Sequence, residues 1–320
     1  MMKRTVWGVL LAAGMVATLS GCDLGSVKAQ LVPTSVQDAR AQLATQRSPR
    51  VDDSSLVSPG TLTVGLSSST STAPLVMGNA ADEVVGVDVD LAAALAQELG
   101  LKVSYVGVSD PSASLGTSCD IVLGVRSSAR GSSYAVSGDY AQSAAAFFRK
   151  GEAAQATVPD LSGKRVGLQT GSMSETTLRN TGLSMEVRGY PDLNEAFDAL
   201  AADQVDYVLC DAYSGAFLSR SHKGVSFAGT LDIPVTVGFA CSASNATLQS
   251  AVSDALAAIQ ANGVYDIIRL AWVGGLPQLG PSSQIKNIPA PSFTAQENPA
   301  SAQGTFVEGA PAAGSNAVNF

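Results

Sequence analysis

The chain has 320 residues, 46% hydrophobic and only 14% charged, with a formal net charge of −8 and a pI near 4.6. That length holds one large domain or two smaller ones with ample core. An acidic chain with no basic run argues against nucleic acid or an anionic membrane surface as a partner held by charge.

The first residues carry a targeting signal. Lys3 and Arg4 precede the apolar run "TVWGVLLAAGMVATLS", which is too short and wrongly flanked for a membrane span. It ends in Leu19-Ser20-Gly21-Cys22, which resembles the lipobox of bacterial lipoproteins. That resemblance implies a signal peptide over residues 1–21 and acylation of Cys22, so that an extracytoplasmic protein is anchored to the lipid bilayer rather than spanning it. The stretch 22–58 is polar and mixed, with a helix-like patch at 36–44, and reads as a tether. An export signal also removes cytosolic nucleotide chemistry. Cys119, Cys210 and Cys241 remain in the body, with none of the close pairing of a zinc site. Outside the reducing cytosol a disulfide is possible.

The body alternates strand and helix signals. "TLTVGL" (61–66) is a short apolar strand. "DVDLAAALAQELG" puts Leu91, Leu95 and Leu99 on one helical stripe, with Asp88 as N-cap and Gly100 as C-cap. "KVSYVGV" and "CDIVLGV" are further strands. Asp192 with Glu195 makes a capping-box-like start to a helix carrying Leu193, Phe197 and Leu200. "VDYVLCD" is a strand ending on Asp211, and Asn245 opens a long helix through Ile259 that closes before Gly263. This alternation predicts an α/β fold, mainly parallel sheet with helices on both faces. Ligands in such sheets sit beyond the carboxyl ends of the strands, so Asp211 is either a helix N-cap or a cation receptor. The lone histidine, His222, lies in the polar loop "SRSHKG" and supplies no base for a hydrolase. No cofactor or metal motif appears. From 276 to 320 the chain is rich in Pro, Ala, Ser, Gly and Asn and reads as a disordered tail.

Five segments in order carry a family resemblance: "GTLTVGL", "VVGVDVDLAAALAQELGLKVSYV", "LSGKRVGLQTGSMSETTL", "ADQVDYVLCDAYSG" and "VGFACSASNATLQSAVSDALAAIQANGVYDIIRLAWVGG". From about Pro59 to Gly275 the chain resembles the family 3 extracytoplasmic solute-binding proteins of amino-acid ABC importers, which have the two-lobed periplasmic-binding-protein type II fold. The resemblance implies a first lobe over 59–144 and 238–275, a second over 145–237, a hinge near "AAAFFRK" and "TVGFA", and a cleft that closes on its ligand. It implies a monomer whose partners are a small polar solute, an amino acid or similar, and the membrane subunits of the importer.

An α-amino acid needs one anion receptor and one cation receptor. The resemblance places the ammonium on Asp211 and the carboxylate on a lobe-one arginine and the helix start Gly171-Ser172-Met173. Arg130 keeps the better register and Arg126 is the alternative. Ser69 and Thr70, which stand where family members usually stack an aromatic ring, complete the implied ligand set with Tyr140. The helix between the second and third strands shrinks to "SDPSASLGTS", so the cleft lacks part of a wall. The family's strand order also implies that Cys119 lies close to Cys241, as a disulfide or a reduced packed pair, with Cys210 a buried free thiol. Two other readings stay open: a sensor or dehydratase-like enzyme on this fold, and a degenerate lobe pair serving as an interaction protein.

Overall fold

The computed structural model describes residues 48–67, 73–78, 83–129, 131 and 133–291. In chain order it runs β1 (Thr61–Ser67), β2 (Met77–Gly78), β3 (Val84–Val85), α1 (Val87–Leu99), β4 (Lys102–Val108), α2 (Pro111–Ser114), β5 (Ile121–Arg126) and β6 (Tyr134–Ser143). There follow β7 (Ala145–Lys150), α3 (Val158–Leu161), β8 (Arg165–Gln169), α4 (Met173–Arg179), β9 (Glu186–Tyr190), α5 (Leu193–Ala201), β10 (Tyr207–Asp211), α6 (Ala212–Ser219) and β11 (Val225–Thr230). The chain then returns through β12 (Val235–Ser242), α7 (Ala246–Ala261) and α8 (Val264–Val273).

The strands form two five-stranded sheets of matching design. The first has the order β4-β1-β5-β12-β6 and the second β11-β7-β10-β8-β9. In the first, β4, β1 and β5 are parallel and β12 runs antiparallel to both neighbours. In the second, β10, β8 and β9 are parallel and β7 runs antiparallel to β10 and β11. The first sheet therefore draws on both ends of the body, and the chain crosses between sheets at Ala144 and again over 231–234. The Ala145 amide, at the first crossing, donates to Asp232 Oδ1 on the second at 2.7 Å, which braces one crossing against the other.

Local chemistry explains most elements. β1 is buried from Leu62 to Ser67, the continuous apolar run of a strand covered on both faces. Helix α1 presents Leu91, Leu95 and Leu99 to the core and stops at Gly100, which takes φ 71°, a left-handed cap that glycine adopts without penalty. Asp192 caps α5 through the Glu195 amide at 3.0 Å, and Asn245 caps α7 through Leu248 at 3.2 Å. Asp88 departs from its expected capping role. Gly86 is the N-cap of α1, while Asp88 is fully buried and accepts the Tyr140 hydroxyl at 2.8 Å.

Both expected tails are shorter than composition suggests. Within the stretch read as a tether, Val51 is buried and the Arg50 amide donates to Leu99 O at 3.0 Å. Asp120 then receives the Val57 amide at 2.7 Å and the Thr63 amide at 2.6 Å, stitching the segment to β1. At the other end, Leu276, Leu279 and Ile285 are buried within the stretch read as disordered. The Ile285 amide donates to Thr230 O at 2.9 Å and the Gly182 amide to Pro289 O at 2.7 Å. Gln155 Nε2 reaches the carbonyls of Ser282, Ser283 and Gln284. A few apolar anchors and backbone hydrogen bonds fix such a segment without any periodicity, which is why it escapes a reading based on pattern. The proposed signal peptide, Cys22 and residues beyond 291 lie outside the described residues.

The cysteine pairing also needs correction, because Cys119, Cys210 and Cys241 are all buried free thiols. Strands β5 and β12 do lie side by side, but the register sets Ile121, not Cys119, against Cys241. Ile121 and Cys241 share the core with α1 and α7, whereas Cys119 packs with Val122 and Ala240 in a separate cluster. Cys119 precedes β5, and although the charge of Cys241 is felt at its thiol, the two sulfurs form no bond. Burial pushes both up to about 11.

Candidate functional site

The site begins where β10 gives way to α6. The strand is buried from Tyr207 to Cys210 and its last residue is Asp211. One carboxylate oxygen of Asp211 accepts the amides of Tyr213 at 2.9 Å and Ser214 at 3.2 Å, which makes it the N-cap of α6. The other accepts the hydroxyl of Ser143, the last residue of β6 in the first sheet, at 3.2 Å. Asp211 is thus both the cap and a group turned toward the opposite lobe. Burial pushes its carboxyl up, while the amides, Ser143 and the charge of Arg126 pull it down.

Arg126 is the exposed last residue of β5. With Asp211, Ser143 and Gly124 it lines a cavity of about 30 Å³ between the sheets, roughly the room one water occupies. A larger cavity of about 510 Å³ opens on the other side of Asp211. Its wall comes mostly from the second lobe, including Gln169, Leu193, Asn194, Cys210 and Phe217, and Ala73 closes it from the first. There Ser214 Oγ donates to Ala73 O at 2.5 Å, a direct link from α6 to the first lobe.

The helix start named from the sequence lies on the same wall. Gly171 takes φ 75°, and Ser172 caps α4 by accepting the Glu175 amide at 3.2 Å. Ser172 and Met173 line the large cavity, and Met173 is 72% exposed. The Gly171 amide is occupied by Glu175 Oε2 at 2.7 Å, and that glutamate also pairs with Arg179. First the Gly171 amide and then Arg179 hold the Glu175 carboxyl low. This helix start therefore already carries an internal anion.

Tyr140 does not belong to the site. It is 2% exposed, and its hydroxyl accepts the Gly124 amide at 2.7 Å and donates to Asp88. Its backbone carbonyl receives the Tyr265 hydroxyl. Its neighbours Ala141 and Gln142 line the small cavity instead. Arg130, Ser69 and Thr70 lie outside the described residues. Sequence reasoning missed Ser143, Leu193, Asn194 and Phe217. A usable signal existed for α6, because Ser214, Phe217 and Leu218 follow Asp211 at the spacing that puts residues on one helix face.

Two other hollows lack this convergence. One of about 480 Å³ lies against Arg220, Phe227, Val273 and the C-terminal segment, and the Arg220 guanidinium there donates to the carbonyls of Ala271 and Trp272. Another of about 460 Å³ opens beside Asn245 and Asp120, whose oxygens hold backbone amides. His222 braces α6, with Nδ1 2.8 Å from Leu218 O and Nε2 3.1 Å from Asp198 Oδ1. Among the described residues no three His, Cys, Asp or Glu gather as a metal site. No described helix is long and apolar enough to cross a membrane.

Comparison with known proteins agrees with this geometry. The model for bacterial extracellular solute-binding proteins, family 3, matches residues 62–275. The L-cystine-binding protein TcyJ of Escherichia coli K12 is 29% identical over 223 residues, 67% of this chain and 83% of that protein. The arginine-binding periplasmic protein of Mannheimia haemolytica is 27% identical over 214 residues, 63% of this chain and 87% of that one. Among solved structures, an ancestral cationic amino acid solute-binding protein superposes with a TM-score of 0.56 at 25% identity, over 67% of this chain and 96% of its own. The L-cystine solute receptor of Neisseria gonorrhoeae, unliganded and open, shares the fold with a TM-score of 0.56 at 19% identity, covering 70% and 95%. With two matched sheets, a cleft between them and a family match over most of its length, this chain belongs to the family 3 bacterial extracellular solute-binding proteins.

Proposed function

We propose that the protein binds an α-amino acid between its lobes and delivers it to the membrane subunits of an ABC importer, held at the membrane by lipid on Cys22. The observation that carries this reading is that Asp211 of the second lobe and Arg126 of the first line one inter-lobe cavity, which the lobes must part to fill with a ligand. The ligand ammonium sits on the Asp211 oxygen facing Ser143, while the other oxygen keeps its capping role. The carboxylate meets a lobe-one arginine, for which the geometry favours Arg126 and the family register favours Arg130. A guanidinium can grip a carboxylate with two parallel hydrogen bonds. The relatives named for cystine and arginine support an amino-acid ligand, and the structural placement of His222 supports binding without a catalytic step.

A thermal-shift screen of the purified protein against the common amino acids tests the proposal. A ligand that binds only the folded state raises its melting temperature by mass action. At least one α-amino acid is expected to give a saturable shift, and no shift from any of them would contradict the reading.

A further inference from the structure

We infer that the ligand is an α-amino acid with an uncharged, largely apolar side chain, and that the 510 Å³ cavity beside Asp211 is its side-chain subsite. This rests on the amino-acid reading above and narrows it. Once Asp211 and a lobe-one arginine hold the two ends of the zwitterion, a charge on the side chain needs a further partner. The described wall of the cavity offers none, because Asp211 is its only ionisable carboxylate or base.

The rest of that wall is neutral. Leu193, Phe217 and Leu218 supply apolar surface, Gln169 and Asn194 supply amides, and Cys210 lies at the wall beside Asp211. The acids that could have served a basic side chain are turned elsewhere. Glu175 holds the Gly171 amide and Arg179, and Asp192 caps α5. Residues 68–72, between β1 and Ala73, read Ser-Ser-Thr-Ser-Thr and bring no charge wherever they sit. A second ammonium or guanidinium in this cavity would lose water without gaining a counter-ion, which is costly.

Met173 adds an independent observation. It lines the cavity yet is 72% exposed, more than any other large apolar side chain among those described as exposed. A flexible, polarisable thioether adapts its shape to apolar groups of several kinds. Its exposure is relieved when an apolar ligand side chain enters the cavity.

Competition calorimetry on the mature protein tests the inference, with methionine, leucine and phenylalanine set against arginine, lysine and glutamate at neutral pH. The best neutral ligand is expected to bind at least about tenfold tighter than any of the three charged ones, a difference of about 1.4 kcal/mol. Arginine, lysine or glutamate binding as tightly would overturn the inference and leave the amino-acid reading standing. Binding of none of the six would also overturn the inference, while the screen against all the common amino acids decides the amino-acid reading separately. Asn194→Asp ties the preference to this cavity, since it adds one charge at the start of α5, where acids are tolerated. The variant should improve the affinity for lysine relative to methionine by roughly two- to fivefold, the range of a partly exposed ion pair. An unchanged ratio would remove the side chain from this cavity.

Discussion

The two lobes have the same strand plan and very different shares of the site. Each sheet sets three parallel strands beside an antiparallel pair, and each lobe is completed by one end of the described chain, 48–58 on the first and 276–291 mostly on the second. Yet the large cavity is walled almost entirely by the second lobe, through the starts of α4, α5 and α6. The first lobe contributes Arg126, Ser143 and the cover at Ala73. On the amino-acid reading proposed above, recognition of the ligand body would fall where helices begin, and the first lobe would supply the cation. On that reading both charged ends are engaged only when the lobes meet, which would couple binding to closure.

The largest effect expected concerns how the second lobe is completed. Ile285 is 1% exposed and packs with Leu161, Leu209 and Leu231. Ile285→Ala should cost about 2–5 kcal/mol of stability, read as a lowered denaturation midpoint. The same loss from Val51→Ala, its counterpart on the first lobe, should be smaller, because valine has less to remove. A neutral Ile285→Ala would mean that the C-terminal segment is not part of the folded lobe.

Asp211 separates capping from recognition. Asp211→Ala should weaken amino-acid binding by roughly 2–5 kcal/mol, the usual cost of removing one member of a desolvated charge pair, and destabilise α6 by about 1 kcal/mol. Asp211→Asn keeps a competent cap and should restore the stability while leaving the affinity low. If Asp211→Asn binds as well as the parent, the carboxylate is only a cap.

The first lobe's part is sharpened by its two arginines. Arg126→Ala should weaken binding by at least about tenfold, since Arg126 shares a cavity with Asp211 and closure on a ligand would desolvate its contact with the carboxylate. Comparison with Arg130→Ala decides between geometry and family register, because only the carboxylate receptor should show the loss.

The smallest effect is a pH dependence. Burial raises the Asp211 carboxyl above its ordinary value of 3.8. The ammonium needs the ionised form, so affinity should fall as pH drops through that raised value, earlier than for an ordinary carboxylate. The stability of the unliganded protein should move the other way. A carboxyl with a raised folded pKa favours the protonated fold, and that contribution is lost as pH rises through the folded value. Asp211→Asn should flatten both trends.

The legible parts of this molecule are those with a period or a cap. The strands "TLTVGL" and "VDYVLCD", the leucine stripe of α1 and the caps Gly100, Asp192 and Asn245 all follow from residue chemistry over a few positions. Asp211 is legible as a carboxylate at a strand end, and one of its oxygens caps α6 while the other accepts Ser143. What escaped depends on contacts distant in sequence. Asp120 holds Val57 from 63 residues away, and Gln155 holds the C-terminal segment from 127 residues away. Tyr140 is drawn inside by Asp88, 52 residues away, and by the Gly124 amide, partners that no local pattern announces. Cys119 illustrates the same limit, since adjacency of two strands does not fix their register, and Ile121 rather than Cys119 stands opposite Cys241.

The central claim is that the cleft recognises a zwitterion through Asp211 in one lobe and an arginine in the other. Titration calorimetry with one neutral α-amino acid, its decarboxylated amine and its deaminated acid tests this directly, because each analogue lacks one charged end. The account predicts saturable binding of the amino acid and a loss of at least about tenfold for each analogue, since each leaves one charged receptor unpaired in the closed cleft. Amine and acid binding as tightly as the amino acid would contradict it.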